Sequence, residues 1–234
     1  MTAPQDQHPK RLPTFAYRGS RSLSDRQKRL VSELLPRVSV PDAGPGSLDP
    51  SSLFDAEPDE IWLEIGFGGA EHLLGQAKAN PGIGLIGCEP FVDGVAKALA
   101  GIESAGLVNV RLHRGDGRDV MDRLAPQTID RCFILFPDPW PKTRHHKRRL
   151  IQAGFLDDLE RLLKPGAWLR VATDVADYAD WAMERLWAHP GFDWRAGSAA
   201  DWREPPTDHI PTRYQAKGLG DIAPVYLDFF RSRD

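Results

Sequence analysis

A chain of 234 residues, 41% hydrophobic and 27% charged, is long enough for one large packed domain, and its 2 cysteines exclude a disulfide scaffold. The net charge of −3 is unevenly spread: residues 1–37 carry eight Lys/Arg against three acids, and residues 142–149 add five cations and no acid. No run reaches membrane-spanning length and the polar start, Met1 to Lys10, lacks an apolar signal core, so a cytoplasmic protein is expected.

In chain order, residues 1–16 read as disordered, and residues 1–40 together as a basic, partly disordered arm. Ser24 is the expected N-cap of a helix running to Leu35 and broken at Pro36. Residues 41–58, rich in Pro and Gly, read as a linker or long loop before a domain over 59–234. From there strands and helices alternate. Strands are expected at Ile61–Ile65, Gly84–Cys88, Val110–His113, Ile129–Phe136, Ala167–Thr173 and Val225–Phe230. The helices between them run to Ala79, over Val92–Ser104, over Leu150–Leu163 and over Asp177–Ala188. Such alternation with short loops predicts an α/β, doubly wound, mostly parallel sheet with helices on both faces. Cys88 and Cys132 lie in apolar strands and read as buried thiols, as do Trp62 and Trp168 as core residues.

The first turn, Glu64-Ile65-Gly66-Phe67-Gly68-Gly69-Ala70-Glu71, lets the backbone approach a ligand closely at Gly66 and Gly68. Glu71 replaces the third glycine of a dinucleotide fingerprint, and Glu64 and Glu71 flanking the turn repel a pyrophosphate. Glu89 ends the second strand, where a carboxylate can grip both ribose hydroxyls, and Asp116 follows the third, placed to accept from an adenine amino group. This ordered set of acids suits the cationic sulfonium S-adenosylmethionine better than NAD. His72, in the helix after the turn, is expected to be structural.

The fourth strand runs into Phe136-Pro137-Asp138-Pro139-Trp140, whose prolines stiffen a turn carrying Asp138 at the carboxyl edge of the sheet. The cation run Lys142, Arg144, Lys147, Arg148 and Arg149, interleaved with His145 and His146, suits a polyanion, the bland alternative being a solvated face. With no third ligand nearby, the two histidines predict no metal site. Asp174, after the fifth strand, faces a ligand or caps the next helix; Lys142 and Arg213 read as phosphate clamps or surface charge; Trp140 supports a base or packs.

These pieces together resemble the bacterial tRNA (guanine-N7)-methyltransferases. The matching stretches are Tyr17 to Arg21 with Gln27, Leu63 to Gly68, Gly87 to Glu89, and Phe136 to Trp140 with its basic tail. Ala172 to Asp174 and Thr212-Arg213-Tyr214-Gln215-Ala216-Lys217-Gly218 complete them. The resemblance implies a seven-stranded Rossmann-like methyltransferase sheet and transfer of the S-adenosylmethionine methyl group to N7 of guanosine 46 in the tRNA variable loop. It assigns the positions of Glu64, Glu89, Asp116 and Asp138 to the cofactor and that of Asp138 to the active site. Lys142, Asp174 and Thr212, Arg213, Tyr214 and Gln215 fall to the substrate, and Arg144 to Arg149 to RNA. In two places the chain departs from the family: Ala70 stands for a usual glycine, tightening the turn, and Gln215 for a usual glutamate. An amide offers one acceptor and one donor where a carboxylate offers two acceptors, so weight shifts to Asp138 and Asp174. Three other readings are weighed: methylation of an exocyclic or amide amino group, a non-catalytic tRNA-binding protein, and an NAD-dependent oxidoreductase, which Glu71 disfavours. No membrane partner is expected, and both a monomer and a homodimer are compatible with the sequence.

Overall fold

The computed structural model describes residues 22–233. Of the expected basic arm, residues 1–21, with Lys10, Arg11, Arg18 and Arg21, lie outside the described part. Ser24 caps α1 (Asp25–Glu33) through a capping box with Gln27: the Ser24 hydroxyl accepts from the Gln27 N–H and the Gln27 side chain accepts from the Ser24 N–H. Pro36 does not simply end the helix. It sits in the first turn of a short α2 (Leu35–Val38), where its missing N–H costs nothing. Arg26 and Arg29 pair with Glu103, so part of the arm's charge is neutralised internally.

Residues 41–58 are laid against the domain. Leu48 bridges to Leu124, Gly46 N–H donates to the Asp122 carbonyl at 2.7 Å, and Arg111 Nε donates to the Leu53 carbonyl at 2.6 Å.

The alternating elements follow: β1 (Ile61–Ile65), α3 (Glu71–Ala79), β2 (Gly84–Cys88), α4 (Val92–Ala105), β3 (Val110–His113), α5 (Gly117–Arg123) and β4 (Ile129–Leu135). A 3-10 helix at Thr143–Arg148 leads to α6 (Ala153–Leu162), β5 (Leu163–Thr173), α7 (Ala176–Ala188), β6 (Phe192–Trp194), α8 (Ala200–Arg203), α9 (Arg213–Ala216) and β7 (Val225–Arg231). The seven strands form one sheet in the order β3-β2-β1-β4-β5-β7-β6; β7 runs antiparallel to both neighbours and the remaining pairs are parallel.

Strand side chains split between two apolar layers with a period of two. Leu63, Ile134 and Val171 pack with Phe155, Leu159, Tyr178 and Leu186 on one face; Trp62 and Phe133 pack with Leu73, Val95 and Leu99 on the other. Cys88 and Cys132 are buried in adjoining parts of this core, and burial raises both thiol pKa values. Trp62 is buried as expected, while Trp168 is half-buried and stacks on the guanidinium of Arg170, centroid distance 4.0 Å.

The expected helix from Leu150 starts later, at Ala153, because the chain before it is committed elsewhere: Gln152 Nε2 donates to the carbonyls of His146 and Arg149. β5 begins at Leu163, earlier than expected, by pairing with Ile129 across an irregularity in register. No helix among the described residues is long and apolar enough to cross a membrane.

Candidate active site

The strand order reverses between β1 and β4, and the site gathers at the carboxyl ends of β1, β2, β4 and β5, where open α/β sheets bind ligands. The turn after β1 is wound left-handed at Gly66 (φ 78°), Gly68 (φ 53°) and Ala70 (φ 67°). A Cβ built on Gly66 or Gly68 meets nothing within 4 Å, so the backbone there borders open space. Ala70 is an L-residue in the left-handed region and is fully buried. Gly94 on α4, which no motif in the sequence marks, is a close-approach glycine: a Cβ there would collide with the Gly68 carbonyl oxygen and lie 2.9 Å from Glu89 Cγ.

Glu89 is buried behind this turn. Oε2 accepts from the Gly68 N–H and Oε1 from the Phe91 N–H, both at 2.9 Å. Burial pushes its pKa up, and the two backbone donors pull it back down. Each carboxylate oxygen keeps a second lone pair for a ligand hydroxyl.

Glu64 is also buried and accepts from His72 Nδ1 at 2.8 Å. His72 Nε2 faces the Gln76 amide nitrogen at 3.2 Å, and the same nitrogen donates to the Asp208 carbonyl at 2.7 Å. Asn80 Nδ2 donates to the Gln76 amide oxygen, which fixes the amide's orientation and makes its nitrogen the donor toward His72. The structural role expected of His72 is thus specific: it points a proton at Glu64.

Asp116 caps α5 by accepting from the Arg118 N–H, and its carboxylate is also paired with the Arg118 guanidinium.

Asp138 stands in the turn after β4. Phe136 (φ 52°) and Trp140 (φ 44°), each followed by proline, are both left-handed, an uncommon state for bulky residues. The Phe136 N–H donates to the Ala172 carbonyl at 2.7 Å, and its ring lies 5.5 Å from that of Tyr214. Asp138 is an exposed residue, yet the surrounding walls desolvate its carboxyl and raise its pKa. Its charge reaches Glu89 and Tyr214; the Tyr214 phenol pKa is raised by burial first, then by Asp174 and Asp138.

Asp174 is buried and is not a helix cap: Asp221 accepts from the Ala176 N–H at the start of α7 instead. The Asp174 carbonyl accepts from the N–H groups of Asp221 and Ile222, and Gly220 passes so close that a Cβ would collide with Asp174. Thr212 caps α9 by accepting from the Gln215 N–H, and Arg213 pairs with Glu71. The Gln215 amide oxygen accepts from His209 Nε2 at 2.8 Å, and its nitrogen donates to the Tyr226 hydroxyl at 2.9 Å. Both functional ends of Gln215 are therefore engaged inside the protein, each with one hydrogen-bonding position left over.

The basic run divides. Lys142, Arg144 and Lys147 are exposed; His145, His146 and Arg148 are half-buried, with Arg148 over the Trp140 ring at 5.0 Å and His145 at its edge. Arg149 corrects the sequence expectation. Its residue is 2% exposed and its guanidinium is paired with Asp177, so it lies beneath the basic face and presents no charge to a phosphate.

A family model described as "Putative methyltransferase" matches residues 58–226. The chain is 52% identical over 218 residues to the tRNA (guanine-N(7)-)-methyltransferase of Hyphomonas neptunium, covering 93% of this chain and 99% of that one. It is also 52% identical over 231 residues to that of Caulobacter vibrioides strain NA1000, covering 99% and 100%. The chain belongs to the tRNA (guanine-N7)-methyltransferase family. Among solved structures, a 16S rRNA (adenine(1408)-N(1))-methyltransferase variant from Catenulisporales acidiphilia superposes with a TM-score of 0.55 at 21% identity, over 80% of this chain and 94% of that one. An rRNA methylase from Streptococcus thermophilus gives 0.52 at 12% identity, over 75% and 89%. These two likenesses establish the shared methyltransferase fold.

Family membership makes this chain a methyltransferase enzyme. The site fits the cofactor that the family implies: an open glycine turn, a buried Glu89 with lone pairs to spare, and carboxylates at three strand ends suit a cation bearing a ribose.

Proposed function

We propose that this protein transfers the methyl group of S-adenosylmethionine to N7 of guanosine 46 in the variable loop of tRNA. The observation that carries this reading is the position of Asp138: a desolvated carboxyl at the switch point, in the turn after β4, in electrostatic reach of both Glu89 and Tyr214. The cofactor would be held by the turn at Gly66 and Gly68, by Glu89 at the ribose, by Glu64 at the amino-acid end and by Asp116 at the adenine. When bound, it supplies an electrophilic methyl carbon on a sulfonium.

The protein's own residues then have little acid–base work. Guanine N7 offers an in-plane lone pair and no proton, so alignment of the base is the main requirement. The Phe136–Tyr214 pair offers aromatic surface, and Asp174 and Gln215 lie beside it for the base edge. Asp138 aligns the acceptor and stabilises the positive charge that develops on the purine. Lys142, Arg144 and Lys147, with His145, His146 and Arg148 behind them, bind backbone phosphates and set the RNA's direction. A soluble, cytoplasmic enzyme acting on tRNA follows from this reading.

The test is nucleoside analysis of unmodified tRNA after incubation with the protein and S-adenosylmethionine, with strand scission at the modified base to map it. 7-methylguanosine at the variable loop is the expected product. N6-methyladenosine, or no modified nucleoside, overturns the proposal.

A further inference from the structure

The turn that carries Asp138 cannot hold itself. Pro137, Pro139 and Pro141 lack N–H groups, and the turn places Phe136 and Trp140 in left-handed backbone. Strain of this kind persists only where the surroundings over-determine the conformation. The entry is fixed by the Phe136 N–H on the Ala172 carbonyl. The exit is fixed by Arg149. Its Nε donates to the Pro139 carbonyl at 2.8 Å, immediately after Asp138, and Nη1 lies 3.5 Å from the Asp177 carbonyl. Nη2 pairs with the Asp177 carboxylate in the first turn of α7. The guanidinium also lies over the Trp181 ring at 4.8 Å and the Tyr178 ring at 5.6 Å, inside the protein, with none of its side chain exposed.

We infer that Arg149 is a positioning residue, which clamps the Asp138 turn to α7 and through it sets the catalytic rate, and is not a tRNA phosphate contact. The inference rests on the reading of Asp138 proposed above. A planar fork is needed: it reaches a carbonyl on one edge and a carboxylate on another while its face stacks on an indole, and a lysine ammonium cannot do all three. A buried cation also needs its counter-charge, and Asp177 supplies it. The basic run thus contains two kinds of cation, exposed ones that meet RNA and an internal one that shapes the site.

The experiment measures methylation of unmodified tRNA by wild type, Arg149→Lys, Asp177→Asn, their double variant and Arg144→Ala, with S-adenosylmethionine binding and thermal unfolding recorded for each. Arg149→Lys should lower kcat by on the order of 10²-fold, the usual cost of a small misplacement. Its KM for tRNA and the salt dependence of tRNA binding should stay as in wild type. Asp177→Asn removes an acid, which cannot be a phosphate contact, so it tests the clamp even if Arg149→Lys folds poorly. It should lower kcat with the salt slope unchanged, and the double variant should fall less than the product of the two. Arg144→Ala provides the contrast, raising KM and flattening the slope by about one unit. An Arg149→Lys variant with a raised KM and a wild-type kcat overturns the inference. So does a loss confined to thermal stability, with kcat per folded molecule unchanged. Wild type that forms no 7-methylguanosine at all overturns the underlying reading of Asp138 and this inference with it.

Discussion

His72 Nδ1 donates to Glu64 Oε2 at 2.8 Å, with both side chains almost wholly shielded from solvent. This bond ties the first turn of α3 to the end of β1, on either side of the cofactor turn. It continues through Gln76 to the Asp208 carbonyl, in the segment that leads to Thr212 and Gln215. His72→Leu should leave the Glu64 carboxylate buried without its donor, lowering unfolding free energy by about 1–3 kcal/mol in urea titrations and weakening S-adenosylmethionine binding by calorimetry. Wild-type stability in this variant would mean that solvent reaches Glu64.

Gly94→Ala tests the packing behind the same turn. The added methyl would collide with the Gly68 carbonyl oxygen and crowd Glu89, so the turn must shift. Because Glu89 holds the Gly68 N–H, the shift moves both expected cofactor contacts together. Calorimetry should show S-adenosylmethionine affinity falling at least 10-fold, with overpacking costing about 1–3 kcal/mol of stability. Unaltered affinity would show that α4 yields instead of the turn.

The exposed cations are the ones to remove when tRNA binding is tested. Arg144→Ala and Lys147→Ala should each weaken tRNA binding and reduce the slope of log affinity against log salt by about one unit, with S-adenosylmethionine affinity unchanged. Filter binding across a salt series reads this directly. A slope that stays the same in the double variant would make the run a solvated face.

Asp138 provides the pH test. Its pKa is raised in the folded protein by desolvation, so the carboxyl keeps its proton to a higher pH than an ordinary aspartate. The folded state binds that proton more tightly than the unfolded one. The stability it contributes is present below the unfolded pKa and is lost as pH rises through the folded pKa. Above its folded pKa, ionised Asp138 therefore opposes folding, and there Asp138→Asn should raise the melting temperature while lowering the single-turnover rate by on the order of 10²-fold. The wild-type rate should rise with pH on the acid side, with a midpoint above the ordinary aspartate value, and stay flat through neutrality, because N7 gives up no proton. A rate that climbs through the neutral range and loses that climb in Asp138→Asn would point to an amino-group acceptor.

β1, β2 and β3 have the bounds that the sequence predicts, because each is a short apolar run closed by a turn signal, a strictly local property. β6, with three residues, and the short α8 and α9 carry no such run, so nothing local in the sequence marks them. The same holds for α5, whose one local signal is the capping aspartate Asp116. The pattern of β7 marks a strand but not its direction, since an isolated strand has the same pattern of residues either way round. Its antiparallel pairing with β5 is a property of the sheet.

The sequence by itself determined the alternation of β1 to β5 with their larger helices, the acids at the strand ends and the family, because those depend on residue type and spacing along the chain. Only the tertiary structure decided what each charge faces. Lys147 and Arg149 stand two positions apart in one cation run, yet one is exposed and the other lies against Asp177 and Trp181. Glu64 and Glu89 both read as free ligands, while His72 and the Gly68 N–H already occupy part of each. A charged side chain carries its charge wherever it points. Its burial and its partner come from elements many residues away, and the free energy of desolvation that separates a clamp from an RNA contact exists only once those elements have packed.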